Sequence, residues 1–237
     1  MNMSLFRQIL FTAAVAGFLG GALLTLLQNI DTVGVVPLIL QAETYENAAE
    51  TAAVPADATT ASHEHEHSAD AWAPADGVER LGYTLLTNVV MAVGFALMLG
   101  AGFALAGGSN AKRGLLWGLA GFATFMLAPS LGLPPEVPGT AAAPLADRQV
   151  WWWATVLATG GGIALLVYGR RIPLYILAVA LIVAPHIIGA PQPEAHGGLA
   201  PESLAKEFIL VVMATMLVFW LALGALSGFF YKRFSAA

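Results

Sequence analysis

A chain of 237 residues that is 58% hydrophobic and only 11% charged is too apolar to be an ordinary soluble domain. Its net charge is −5 and it has no cysteine, which excludes a disulfide framework, a thiolate metal site and a catalytic thiol. Chemistry must rest on imidazole, carboxylate, thioether, amide and backbone groups.

A bilayer core of roughly 30 Å takes about 20 apolar residues per helix. Six windows fit or nearly fit that length: Leu5–Leu27, Tyr83–Ala106, Gly114–Leu131, Val150–Tyr168, Pro173–Ile188 and Phe208–Tyr231. The fold expected is therefore all-α, a single membrane domain over 1–237 built as a polytopic bundle of six transmembrane helices. The first window begins with a basic residue, as a signal sequence does. The run is long, however, and no A-x-A site follows it closely, so a retained helix is expected. That helix should end at Gln28-Asn29-Ile30-Asp31, and Val35–Leu40 should lie at the interface.

Segment 41–82 departs from the rest in composition, with Ala, Glu, Thr, Ser, Pro and His and almost no large aliphatic residue before Trp72. It reads as a flexible extracytoplasmic loop. Within it, His63-Glu64-His65-Glu66-His67 alternates three imidazoles with two carboxylates, donors that suit divalent Co, Ni, Zn or Cu. In an extended chain the three histidines project to one side. Neutral imidazole is the ligating form, so capture should weaken as pH falls through about 6.5.

The second window carries Asn88, expected as an interhelical hydrogen-bonding residue, and Met91 and Met98, expected as packing residues. The third window exits through Ala128-Pro129-Ser130-Leu131-Gly132-Leu133-Pro134-Pro135-Glu136. The fifth exits through Ala184-Pro185-His186-Ile187-Ile188-Gly189-Ala190-Pro191-Gln192-Pro193-Glu194. Both fit A-P-x-x-(x)-G-x-P-(x)-P-E, and each follows a basic pair, Lys112-Arg113 or Arg170-Arg171. Windows two–three and four–five thus read as two copies of one hairpin, an arrangement that puts a transporter's site at the repeat interface. Pro129 and Pro185 should deprive the carbonyls of Phe125 and Leu181 of their usual donors near the outer face. Trp151, Trp152 and Trp153 open the fourth window as an interfacial aromatic belt. Gly17–Gly21, Gly114–Gly118 and Gly224–Gly228 are G-x-x-x-G pairs that allow close helix approach.

Charge sets the topology. Arg7, Lys112, Arg113, Arg170, Arg171, Lys232 and Arg233 all fall on one side of six spans, which the positive-inside rule makes cytoplasmic, with both termini inside. The other side collects Arg80, Arg148 and Lys206 against all fifteen carboxylates. A mouth so negative concentrates cations. His186, at a helix end within the bundle, and Asp31, at the outer end of the first helix, are the further candidate metal ligands. No phosphate loop, nucleophile–base pair or HExxH motif is present, so neither ATP hydrolysis nor another enzyme activity is expected. The membrane potential alone draws a divalent cation inward with about 4.6 kcal/mol per 100 mV.

Several blocks resemble a known family. These are Phe6-Arg7, the run from Val36 to Glu46, the His/Glu tract before Trp72-Ala73-Pro74, and Gly121-Phe122-Ala123 leading to Pro134-Pro135-Glu136. Arg148-Gln149-Val150-Trp151-Trp152, the run from Pro185 to Pro193 and Phe219-Trp220 extend the match over nearly the whole chain. Together they resemble the CbtA-type cobalt transporter subunits. The resemblance implies an inner-membrane component of cobalt uptake linked to cobalamin synthesis, with Co²⁺ as substrate and a small single-helix CbtB-type partner carrying its own His motif. That family is described with five spans, whereas the charge pattern here prefers six. The same ligands suit Ni²⁺ or Zn²⁺. No permanently bound cofactor and no nucleic-acid partner are expected, and self-association into a homo-oligomer is open. The competing reading is a non-transporting membrane metal sensor or assembly protein.

Overall fold

The computed structural model describes residues 3–31, 34–53, 74, 75, 77–194 and 197–235. Among these residues it is all-helical: α1 (Met3–Gln28), α2 (Val35–Ala53), α3 (Val78–Leu105), α4 (residues 111–130), α5 (Leu145–Tyr168), α6 (Ile172–Ile188) and α7 (Glu202–Ser235). Four of these, α1, α3, α5 and α7, are long and apolar enough to cross a membrane; α6 is apolar but has 17 residues. Helix α4 runs unbroken for twenty residues only because a π-helical segment joins its two α-helical parts.

That segment, Ala123–Leu127, answers the proline argument. The Pro129 ring clashes with an ordinary turn at the carbonyl four residues back. Instead of ending, the helix widens by one residue, and Ala128 N–H donates to the Ala123 carbonyl. Both prolines therefore sit inside helices; Pro185 lies three residues before the end of α6.

Glycine decides the packing. A Cβ on Gly17 or Gly21 of α1 would stand 2.5 Å from Val93 or Val89 of α3, so these two helices meet backbone to backbone. Farther along the same seam Asn88 Nδ2 donates to Thr25 Oγ1 at 3.0 Å and to Gln28 Oε1 at 2.6 Å, which is the interhelical role expected of it. Gly114 and Gly118 of α4 face Gly224 and Gly228 of α7, so two of the three G-x-x-x-G pairs are partners in one interface. Gln8 Nε2 donates to the Tyr231 carbonyl at 2.7 Å, tying the start of α1 to the end of α7.

The registers run antiparallel where α1 meets α3 and α7, where α4 meets α7 and α5, and where α5 meets α6, while α3 runs parallel to α7. Arg7, Lys112, Arg113, Arg170, Arg171, Lys232 and Arg233 consequently gather at one end of the bundle, as the charge pattern required. The expected hairpin repeat takes a different form. Helices α5 and α6 do pack as a hairpin, but α3 packs mainly on α1 and α4 mainly on α7. Sequence neighbours need not be packing neighbours when a glycine face elsewhere allows closer approach.

The 41–82 loop also needs correction where it is described. Residues 41–53 continue α2 and residues 78–82 begin α3. Ala, Glu and Gln are adequate helix formers, and Pro37 falls in the first turn, where its missing N–H costs little. The stripe Val35, Leu38 and Ala42 is buried against Leu204 and Phe208 of α7 and Val137, so α2 lies on the acidic end of the bundle. An ion pair of 3.6 Å joins its Glu43 to Arg80 of α3.

Candidate functional site

Two loops close the acidic end, residues 131–144 after α4 and, as far as they are described, residues 189–194 and 197–201 after α6. They are stitched together by Ala141 N–H to the Gly197 carbonyl, 3.0 Å, and Leu199 N–H to the Gly139 carbonyl, 3.2 Å. Between them lies a recess of about 530 Å³ lined by both repeated exits, Gly132–Val137 and Pro191–Pro193, with Thr140, Arg148 and Glu202. The structure thus brings the two A-P-x-x-(x)-G-x-P motifs to one place even though the hairpins carrying them are packed differently.

The recess is lined mainly by apolar groups, with a few polar side chains among them. Four of its lining residues, Pro134, Pro135, Pro191 and Pro193, have no backbone N–H to donate. Glu136 and Glu202 add carboxylates. Arg148 Nη2 pairs with Glu136 Oε2 at 2.9 Å, and Lys206 Nζ pairs with Glu202 Oε1 at 2.7 Å. Each carboxylate therefore has a cation partner that an incoming divalent ion would compete with. With both carboxylates already paired to cations, the recess offers no closed ligand set for a divalent ion.

Trp151 is the joint beneath this recess. It is 7% exposed, and its indole Nε1 donates to the Pro185 carbonyl at 3.2 Å. That carbonyl lies in the last turn of α6 and also accepts from the Gly189 N–H at 3.0 Å, so the indole is its second donor. The ring also fills the space in which a Gly132 Cβ would stand, next to Ala190, so one side chain touches both exits. A belt position was expected for all three tryptophans, but only Trp153 is exposed enough to serve as one. Gly132 is the signal in the sequence, since a residue without a side chain just past the end of α4 leaves room for a ring.

The candidate ligands read from sequence are placed as follows. His186 is half-buried, its ring centroid 6.0 Å from that of Trp151 in an edge-on contact. Asp31 is exposed just beyond α1. Neither lines the recess. His63, Glu64, His65, Glu66 and His67 lie outside the described residues. Among the described residues, no three His, Asp or Glu side chains converge closely enough to hold a metal ion. Sequence reasoning missed Glu136, Arg148 and Glu202, although Glu136 closes the first repeated motif.

A search of curated proteins and a search of solved structures each give no match. A family model described as "Probable cobalt transporter subunit (CbtA)" matches residues 6–232, nearly the whole chain. The chain belongs to the CbtA family.

Proposed function

We propose that this protein is the membrane subunit of a divalent-cation uptake system, with Co²⁺ as its substrate. It crosses the inner membrane six times with both termini in the cytoplasm. Family membership supplies the transport role and the metal. The observation that carries the rest is the meeting of both repeated helix exits, with Glu136 and Glu202, around one recess at the acidic end. The alternating directions of α1, α3, α4, α5, α6 and α7 support six passes, and the seven cations at the opposite end support the orientation. The His63/His65/His67 tract gathers the ion, Asp31 and His186 flank its approach, and a small partner subunit completes the path. Ni²⁺ and Zn²⁺, which the same ligands suit, are expected to compete.

Co²⁺ flux into proteoliposomes tests this directly. Uptake is expected when the chain is co-reconstituted with its partner and a negative interior potential is imposed. Absence of flux with and without the partner would replace transport by a sensing or assembly role. Within a working system, replacing His63, His65 and His67 by Ala should raise the half-saturating Co²⁺ concentration about tenfold with maximal uptake little changed, since the tract acts by local enrichment. Complete loss of uptake would instead put the tract in the conduction path.

A further inference from the structure

The end of the bundle opposite the acidic recess carries a second cavity, of about 430 Å³, where α1, α3, α4 and α7 converge. Gln8, Ser109, Asn110 and Ser235 line it, together with the cations Arg113 and Lys232 from two different helices. No carboxylate among the described residues pairs with either cation. The described Asp and Glu residues fall in 31–53, at 79, in 136–147, at 194 and in 202–207, toward the other end of the bundle. The positive-inside rule accounts for basic residues at this end. It does not account for two of them lining one polar recess.

Arg113 also borders a different cavity. An apolar groove of about 530 Å³ runs from it along α4, with α3 on one side and α5 on the other. Its α4 wall is Arg113, Leu116, Trp117, Ala120, Gly121, Thr124 and Phe125, one helical face. From residue 113 to 125 that face measures roughly 18 Å, at about 1.5 Å per residue. The groove ends where α4 closes onto α5, at Thr124 against Gly160 and Phe125 against Trp152. Such a length is a little over half of the roughly 30 Å hydrocarbon core, one leaflet rather than two. A partner's transmembrane helix would need the full thickness. Gly161 lines the groove, and a Cβ there would meet nothing within 4 Å, so no close contact inside this chain calls for its glycine.

We infer that the two cavities together form a binding site for one anionic phospholipid. Its phosphate sits between Arg113 and Lys232, and one acyl chain lies in the groove between α3 and α5. Charge complementarity selects an anionic headgroup, and the length of the groove matches a single leaflet. Bound lipid neutralises two cations that a metal ion leaving by this end would otherwise meet. The assignment rests on the bundle lying in a bilayer, as proposed above, and not on the identity of its cargo.

Native mass spectrometry of the full chain in neutral detergent, without metal, tests it against phosphatidylglycerol, phosphatidylcholine and inorganic phosphate. One phosphatidylglycerol per chain is expected to survive conditions that strip phosphatidylcholine. The Arg113→Gln/Lys232→Gln variant should weaken that retention about thirtyfold, from two basic contacts at the membrane surface. Gly161→Leu, which fills the groove, should also weaken it. Equal retention of the two lipids, or wild-type retention by the double variant, would overturn the assignment. Displacement of the lipid by millimolar inorganic phosphate would give the recess to a free anion, and undiminished retention by Gly161→Leu would remove the acyl chain from the groove. A dimer that disappears in Gly161→Leu would give the groove to a second copy. Because no cobalt enters the measurement, its failure leaves the transport reading standing, and failure of cobalt flux leaves the lipid site standing.

Discussion

Gly224→Leu is expected to prevent the bundle from forming. A Cβ at that position would lie 2.7 Å from the Gly118 backbone nitrogen and 2.8 Å from its Cα. Those are backbone atoms, so no rotamer change relieves the contact and the two helices must separate. Overpacking a close interface costs about 1–3 kcal/mol when side chains can yield, and more when they cannot. Separation would also break the facing contacts of Gly114 and Gly228 on the same seam. The variant should fail to give a monodisperse peak on size exclusion after detergent extraction. Gly94→Leu on α3 is the control, since a Cβ there meets nothing within 4 Å. It should behave as wild type. Two variants that behave alike would mean that the α4–α7 contact is not what holds these helices together.

The Trp151 series carries the second large effect. Trp151→Ala removes a buried ring from the contact between the α4 and α6 exits, at a cost of about 3–5 kcal/mol. Trp151→Phe keeps most of the ring and loses the bond to the Pro185 carbonyl, about 1 kcal/mol. Thermal unfolding in detergent should therefore rank wild type above Phe and Phe well above Ala. Co²⁺ uptake should fall with the Ala variant even at temperatures where it stays folded, because the recess loses the side chain that holds its two walls in register. If Trp151→Phe is as damaging as Trp151→Ala, the hydrogen bond and not the packing sets the joint.

Much of the bundle was legible in advance. Span-length apolar windows, the two basic pairs and the glycine pairs depend on local composition, and bilayer physics reads local composition directly. Asn88 was legible for the same reason, because a lone amide inside an apolar helix must find a partner on another helix. Other features were hidden. The helix over 41–53 carries its apolar anchor only in its first two turns, so composition alone made it a loop. Pro129 was read as breaking the backbone ladder, but whether a helix stops or widens depends on what packs around the turn. The ring of Phe125 lies parallel to that of Trp220 at 5.6 Å and near Phe95 at 5.1 Å, contacts made by the widened segment itself.

The functional reading divides along the same line. By itself the sequence determined a membrane bundle with an acidic end and a basic end, because charge placement relative to apolar runs needs no knowledge of packing. It also placed the chain in the resemblance that family membership upholds. Only the tertiary structure decided which helices touch, that the two repeated exits share one recess, and that Trp151 joins them. These depend on which glycine faces meet and where an aromatic side chain finds room. Such contacts lie between residues far apart in the chain, and their outcome follows from shape complementarity in three dimensions, which no local pattern encodes.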